Sequence, residues 1–277
     1  MEVIFLGTAA AEGLPAPFCS CNVCAKARSL GGKNHRLRAA VLIDRVLKID
    51  NGPDTVAQSQ KFRICFDKVA NIVFTHTHED HLEADGVLLF VPPFSNTMKR
   101  VVTLYGPPGI AECVLRSATY TWAQKSIDIK PLLPFEKVTT GDGYVVIPLL
   151  AHHVSERLCL NYVITAPDGK SLLYATDTGA WPDTTWAYLE KERPAISIGI
   201  MEATHGPMEL KAASVHLNFG RLLEHRERLM ELGIVKKKTP FFATHFSHNG
   251  AAMHSEMAAC LKGKGVSPAY DGLTVKV

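Results

Sequence analysis

Residues 70–81 read ANIVFTHTHEDH, an apolar run that passes directly into histidines and acidic residues. The run predicts a buried strand. In an extended segment alternate side chains share a face, so His76 and His78 can converge on one metal ion. The turn that follows places Asp80 and His81 beside this position, where they can bind a second ion. Imidazole and carboxylate ligands suit Zn²⁺, Mn²⁺ or Fe²⁺. Two such ions about 3.5 to 4 Å apart can bridge a hydroxide, so this H-x-H-x-D-H motif predicts a dinuclear hydrolytic centre.

Bulk composition narrows the class of protein. The chain has 277 residues, 47% hydrophobic and 21% charged, which predicts one globular domain over residues 1–277. A net charge of +3 gives no support for a duplex nucleic acid partner. The sequence shows neither a basic leader nor an apolar window long enough for a membrane helix, which predicts no membrane partner. Seven cysteines, three of them within six positions, do not resemble a secreted disulfide framework, and a cytoplasmic location is expected.

The order of elements predicts an α/β fold with sheets inside and helices outside. Strand-like segments come first, with hairpins at Gly141–Gly143 and Pro167–Lys170, and helices alternate with strands afterwards. Strands are predicted at 2–6, 39–50 (two strands), 70–75, 101–106, 160–165, 171–176, 195–201, 239–244 and 269–277, and helices at 110–121, 183–193, 214–232 and 250–263.

The histidine motif resembles the hallmark of the metallo-β-lactamase superfamily, and the resemblance covers nearly the whole chain. It implies an αβ/βα sandwich of two mixed sheets with helices on the outer faces and metals at the mouth between the sheets. It also implies three later ligands after strands. Asp177 and His245 fit two of them, and the third is His152 or His153. Adjacent strand side chains face opposite ways, so only one of that pair can point at the metal, and the family context favours His153. One ion would then be held by His76, His78 and His153, the other by Asp80, His81 and His245, with Asp177 bridging both.

A second cluster, Cys19, Cys21 and Cys24, offers three thiolates for a zinc tetrahedron that needs a fourth ligand. Together with the preceding motif it resembles the PhnP-like cyclic phosphodiesterase branch of the superfamily. In that branch the fourth ligand is a histidine three residues past the last active-site histidine, a place that His248 occupies. The resemblance therefore implies a structural Zn²⁺ on a loop at 18–25 beside the active site. The matching motif residues are Gly7, Thr8, Glu12, Gly13 and Pro15.

The same branch carries a histidine that assists catalysis without holding metal. His205 and His216 are both candidates. His216 is preferred, because it opens the predicted helix at 214–232, and a helix N-terminus favours a nearby phosphate. Asp80 is a second candidate for protonating the leaving group.

These features predict a cytoplasmic hydrolase with two active-site Mn²⁺ or Zn²⁺ ions. Its expected substrate is a small anionic phosphodiester such as phosphoribosyl 1,2-cyclic phosphate, attacked by a hydroxide that bridges the metals. Three alternatives remain: a tRNA 3′-processing nuclease, a PqqB-like metalloprotein with oxidative chemistry, and a non-catalytic metal-binding or nucleotide-sensing module. The oligomeric state is left open, a homodimer included.

Overall fold

Two seven-stranded mixed β-sheets form the centre of the molecule. The computed structural model describes residues 1–96, 100–117, 124–210, 214–250 and 252–277. The first sheet has the order β14-β1-β2-β3-β4-β5-β6 and the second β13-β12-β11-β10-β9-β8-β7. The strands are β1 Glu2–Gly7, β2 Ala40–Ile43, β3 Leu47–Ile49, β4 Asn71–Val73, β5 Val102–Gly106, β6 Ile127–Pro131, β7 Val138–Thr139, β8 Val145–Leu150, β9 Leu160–Thr165, β10 Ser171–Ala175, β11 Ile198–Glu202, β12 Phe241–Thr244, β13 Ser267–Pro268 and β14 Thr274–Lys276.

Helices flank the sheets on their outer faces. The α-helices are α1 Asn22–Leu30, α2 Thr55–Phe62, α3 Gly109–Ser117, α4 Asp183–Glu192, α5 Phe219–Glu231 and α6 His254–Leu261, and short 3₁₀ turns cover Gly32–Asn34 and Asp85–Phe90. Among the described residues, no helix is long and apolar enough to cross a membrane.

Alternation along the strands builds three apolar layers. In β1, Val3 and Phe5 belong to a cluster shared with the second sheet, whereas Ile4 and Leu6 pack in a cluster with α3. The third cluster joins the outer face of the second sheet to α1, α4, α5 and α6. Successive strand residues point to opposite faces, so a strand with two apolar faces can bury both. The expected αβ/βα sandwich with helices on its outer faces is therefore confirmed.

Several predicted boundaries change. The helix predicted at 214–232 begins only at Phe219, because the side chain of Asn218 caps it by accepting a hydrogen bond from Arg221 N. The helix predicted at 250–263 is His254–Leu261. The helix predicted at 110–121 is α3 as far as Ser117, and its residues 118–121 lie outside the described ones. The sequence did not predict α1, α2 or β6.

Candidate metal centre

The predicted ligands follow the carboxyl ends of strands in both sheets. His76 lies three residues past β4, Asp177 two residues past β10, and His245 directly after β12. The carboxyl ends of parallel strands meet at one edge of a sheet, which is where α/β folds bind ligands. Asp177 and His245 take left-handed backbone conformations, with φ of 50° and 59°. Such conformations are uncommon for residues other than glycine. At each of these two positions the chain turns sharply as it leaves the strand.

One group of nitrogen atoms gathers His76, His78 and His153. His76 Nε2 lies 2.8 Å from His78 Nδ1, and His153 Nε2 lies 3.3 Å from the same atom. The three candidate ligand atoms all lie within 4.8 Å of one another. Burial lowers the pKa of each of these histidines, which keeps the rings neutral and able to bind a cation. The structure thus brings these three predicted residues together.

A second group gathers Asp80, His81 and His245 around Asp177. Asp177 Oδ2 lies 2.8 Å from His81 Nε2 and 3.0 Å from His245 Nε2, and Asp80 Oδ2 lies 3.1 Å from His81 Nε2. The other oxygen of Asp177 lies 3.6 Å from His153 Nε2, on the side of the first group. Asp177 therefore stands between the two groups, as a bridging carboxylate would.

The second group has a charge balance that suits cations. Burial opposes charge there, yet the carboxylate of Asp177 raises the pKa of His245 to about 10, and Asp80 and Asp177 together raise that of His81. In return, and against the effect of burial, His245 and His81 hold the pKa of Asp177 well below its usual range. Without metal, protonated imidazoles thus provide the positive charge that the buried carboxylates require.

Three of these atoms lack hydrogen-bond partners. His81 Nε2, His245 Nε2 and Asp177 Oδ2 are buried and, within the described ranges, none of them makes a hydrogen bond of acceptable geometry despite the short separations. Buried polar atoms are normally satisfied, and an unsatisfied one calls for an explanation such as an ion. Imidazole nitrogens and carboxylate oxygens are the ligands that divalent transition metals prefer. The residues present therefore fit bound divalent cations.

Two supporting residues orient the rings. His81 Nδ1 donates to the buried carboxylate of Asp50 over 2.7 Å, and Asp50 also accepts from Thr75 N over 2.8 Å. His245 Nδ1 lies 2.9 Å from Thr204 Oγ1. Because Nδ1 of each ring interacts with one of these supporting residues, Nε2 of each ring faces Asp177 and is available to bind a metal ion. Asp50, Thr75 and Thr204 were not predicted; the available signal for Asp50 was its place directly after the apolar strand β3.

His216 is held by Glu202, a further residue that the sequence did not predict. His216 Nδ1 donates to Glu202 Oε1 over 2.8 Å. Glu202 is fully buried and also accepts from Thr178 N and Leu217 N. Burial disfavours the charged form of His216, but the carboxylate of Glu202 outweighs this effect and raises the pKa of His216. The prediction that His216 opens a helix is wrong, because α5 begins at Phe219 and Glu202 binds the backbone before it.

The two other candidate histidines, His205 and His152, belong to neither group of ligands. His205 lines the cavity that lies over the two groups, its Nε2 lies 3.1 Å from Ser214 Oγ, and burial lowers its pKa. His152 is exposed, and its side chain lies outside the two groups, in a neighbouring depression that is also lined by His216 and Arg221.

The cavity over the two groups has a volume of about 350 Å³. It is lined by Ala10, Ala11, Glu12, His78, Asp80, His153, Asp177, Thr204, His205, His216, His245, Ser247 and Asn249. This is near the lower end for small-molecule pockets, which span about 300–1,000 Å³.

The cysteine cluster lies beside the metal cavity. The candidate ligand atoms of Cys19, Cys21, Cys24 and His248 all lie within 4.8 Å of one another, and His248 Nδ1 is 3.5 Å from the sulfur atoms of Cys19 and Cys21. A hydrogen bond from Cys24 N lowers the pKa of Cys21 to about 6, whereas burial raises that of Cys24 to about 11. Three sulfur atoms and one imidazole match a structural zinc site.

The expectation of a loop throughout residues 18–25 is wrong. Cys21 is the N-cap of α1, and its thiol accepts a hydrogen bond from Cys24 N in the first turn. The helix therefore sets the spacing between Cys21 and Cys24.

A family model described as the Beta-lactamase superfamily domain matches residues 45–241. That match covers more than half of the chain, includes the histidine motif and Asp177, and ends at Phe241, the first residue of β12. The chain belongs to this superfamily, in its metallo-β-lactamase form. No curated protein matches the chain.

Solved structures share the fold over nearly the whole chain. A diphosphatase from the PhnP family aligns at a TM-score of 0.76 and 24% identity, covering 99% of this chain and 96% of that one. Zn²⁺-bound PqqB from Methylobacterium extorquens aligns at 0.70 and 17%, covering 100% of both chains. The short form of human tRNase Z aligns at 0.67 and 17%, covering 100% and 99%. At these identities the likenesses establish the fold alone.

Proposed function

We propose that the chain is a dinuclear phosphodiesterase that opens a small cyclic phosphate, such as phosphoribosyl 1,2-cyclic phosphate. The observation that carries this proposal is the convergence of seven histidine and aspartate side chains from both sheets into two adjoining groups, with five of the seven lining a small cavity. His76, His78 and His153 would hold one ion, Asp80, His81 and His245 the other, and Asp177 both. Bound Mn²⁺ or Zn²⁺ would lower the pKa of a water molecule and neutralise charge on the phosphoryl oxygens.

His216 is the residue that we propose as proton donor to the leaving alkoxide. Glu202 accepts a hydrogen bond from His216 Nδ1 and raises the pKa of His216, which favours the protonated ring at a position that lines the cavity. Asp80 is less suited to that task. Although it is buried, His81 and His245 hold the pKa of Asp80 far below its usual value, so its carboxylate has no proton to give. We therefore assign Asp80 to metal binding.

The cysteine cluster supports the PhnP-like assignment. We propose a structural Zn²⁺ at Cys19, Cys21, Cys24 and His248, three residues past the ligand His245. The zinc would fix the segment before α1 to the strand end that carries the active-site histidine. A PhnP-family diphosphatase is among the structures that the chain resembles.

Cavity size favours a small substrate over RNA. A volume of about 350 Å³ accommodates a sugar phosphate, whereas a tRNA precursor needs a long gripping surface. The chain resembles tRNase Z in fold, so tRNA 3′-processing remains the second candidate to test.

An activity panel tests the proposal. The purified protein is assayed with ribose 1,2-cyclic phosphate, nucleoside 2′,3′-cyclic phosphates, bis(p-nitrophenyl) phosphate and a tRNA precursor, each with Mn²⁺, Zn²⁺ or Fe²⁺. We expect the cyclic phosphates to be opened with Mn²⁺ or Zn²⁺. Cleavage of the tRNA precursor alone would support the nuclease. Activity that requires iron and an oxidant would support oxidative chemistry, and no turnover with any metal would leave a binding module.

A further inference from the structure

Glu12 is an acidic side chain of the metal cavity that the proposed chemistry does not use. It lies in a turn closed by a hydrogen bond from Gly13 N to Ala10 O over 2.9 Å. Its side chain is 28% exposed, so the carboxylate is accessible from the cavity without being free in solvent. The metal-binding carboxylates of the cavity, Asp80 and Asp177, face the histidine groups instead.

The turn that carries Glu12 is fixed on two sides. Phe246 N donates to Thr8 O over 2.9 Å, and Ala10 N donates to Phe246 O over 3.1 Å. These bonds join the turn to the residue directly after His245. From the other side, Arg38 Nε donates to Ala11 O over 2.8 Å. The position of Glu12 relative to the metal groups is therefore set by backbone contacts, which is the condition for a preorganised binding residue.

The two carboxylate oxygens of Glu12 have different surroundings. Oε1 accepts a hydrogen bond from Ser247 Oγ and lies 3.6 Å from His248 Nε2. Oε2 has no hydrogen-bond partner among the residues that the structure describes. One oxygen is thus anchored, and the other is available to a bound molecule.

A carboxylate in a phosphate-binding cavity restricts what can approach it. An ionised carboxylate only accepts hydrogen bonds and repels a phosphoryl oxygen. The part of a substrate near Glu12 must therefore be a hydrogen-bond donor, and a sugar leaving group offers hydroxyl groups as such donors. We infer that Glu12 selects hydroxylated, sugar-like phosphodiesters over alkyl or aryl esters. This inference rests on the proposed phosphodiesterase function.

A competing role for Glu12 is purely structural. Through Ser247 and His248 it could brace the strand end and the cysteine cluster, without touching a substrate. The two roles differ in one measurable respect: bracing affects every substrate equally, whereas recognition affects only substrates that carry a hydroxyl.

The test compares two cyclic phosphates, ribose 1,2-cyclic phosphate and propane-1,2-diol cyclic phosphate, which has no hydroxyl. For Glu12→Ala we expect kcat/KM to fall about 10- to 100-fold on the ribose substrate, the range for a lost hydrogen bond to a charged group. On the propanediol substrate we expect less than about a twofold change, because that substrate makes no such bond. Glu156→Ala, an exposed glutamate outside the metal cavity, is the control and should change neither.

Zinc content and wild-type activity separate the other outcomes. Equal losses on both substrates together with lost zinc would assign Glu12 to bracing and overturn the inference, as would unchanged values on both. Wild-type activity on both substrates with no effect of Glu12→Ala leaves the proposed function intact while rejecting the inference. If the wild type opens neither substrate with Mn²⁺ or Zn²⁺, the proposed function fails and the inference fails with it.

Discussion

Asp177 has one carboxylate oxygen on each side of the cluster, toward His153 and toward His81 and His245. A residue in that place affects both groups at once. We predict that Asp177→Ala loses both active-site ions and lowers phosphodiesterase activity by more than about 100-fold, because even supporting residues of metal sites cost about 10- to 100-fold. Elemental analysis and the phosphodiesterase assay check this. Near-normal turnover in the variant would contradict the bridging role.

The neighbours His152 and His153 form a matched pair for a second prediction. His153 Nε2 faces His78 and Asp177, whereas the side chain of His152 is exposed. His153→Ala should remove at least one equivalent of active-site metal and most of the activity, and His152→Ala should do neither. Metal content and kcat/KM of both variants decide the matter. The reverse result would exchange the two assignments.

A site residue could be predicted from the sequence when it belongs to a local motif. His76, His78, Asp80 and His81 are recognisable because strand periodicity and a turn bring them together within six positions. Asp50 and Glu202 are not part of such a motif. Their roles arise from contacts with residues 31 and 14 positions away, His81 and His216. The only local signal was that each ends or follows an apolar strand, as Asp177 does.

At the level of elements, the strands were easier to predict than the helix ends. Apolar runs bounded by turns located β1, β5, β9 and β10 within a residue or two. The start of α5 was misplaced because Ser214–Leu217 has no local feature that forbids a helix. The conformation of the segment Ser214–Leu217 is set by the buried Glu202, whose carboxylate accepts hydrogen bonds from Leu217 N and His216 Nδ1. Tertiary contacts of this kind override local propensity.

Helix α1 and the cysteine cluster give a prediction at this scale. When the unfolded chain lacks a formed site, zinc binding energy contributes to folding directly. Cys21→Ser should lose one zinc equivalent and lower the melting temperature by about 10 °C. The loss of a metal belongs to the changes that cost about 4 kcal/mol or more, and each kcal/mol shifts the melting temperature of a protein this large by about 2–4 °C. Zinc analysis and thermal unfolding measure both quantities.

Cys260→Ser is the control for that experiment, since Cys260 is exposed and lies outside the cluster. It should melt like the wild type. If Cys21→Ser also melts like the wild type and binds the same amount of zinc, these cysteines are ordinary thiols. The PhnP-like resemblance then loses its main support, and the superfamily assignment stands without it.

The loop after β3 depends on a buried lysine. Lys48 Nζ lies 2.8 Å from Asp50 O, 2.9 Å from Asn51 Oδ1 and 3.1 Å from Thr55 Oγ1, all within hydrogen-bond distance. These bonds hold the segment that carries Asp50, the partner of His81. Burial lowers the pKa of Lys48 to about 7 from its ordinary 10.5.

This shift gives a prediction about pH. Between pH 7 and 10.5 the unfolded chain keeps a proton on Lys48 that the folded protein has lost. The unfolded state therefore binds more protons, and the contribution of Lys48 to the free energy of unfolding rises with pH in that window. The difference in this free energy between wild type and Lys48→Met should increase from pH 7 to 10, by at most about 1.4 kcal/mol per unit. Denaturant unfolding across this range measures it. The exposed Lys262→Met should show no trend, and a flat or falling difference for Lys48→Met would contradict the prediction.

On the scale of the whole molecule, the metal groups join the two sheets. His76, His78, Asp80 and His81 follow β4 of the first sheet, and His153, Asp177 and His245 follow strands of the second. Each candidate ion would thus take ligands from both sheets. The cysteine cluster adds another connection, between the segment after β1 and the segment after β12. The two sheets share an apolar layer as well, so metal binding would add to a core that already joins them.

Removal of the active-site metals should therefore loosen one end of the sandwich more than the rest. Ligands that bind only the native state stabilise it, and local opening free energies differ across a structure. After chelation under conditions that retain the cysteine-bound zinc, we expect faster amide hydrogen exchange at residues 74–82, 151–154, 176–179 and 245–247, which follow β4, β8, β10 and β12. The opposite ends of the same strands, near Asn71, Val145, Ser171 and Phe241, should change little, because the core between the sheets does not depend on the ions.

Hydrogen-exchange mass spectrometry with and without added Mn²⁺ or Zn²⁺ compares the two regions directly. Asp177→Ala serves as the control that should exchange like the metal-free wild type. Uniformly faster exchange over both sheets would mean that the ions are required for the whole fold, and unchanged exchange at the four segments would mean that they do not bind there.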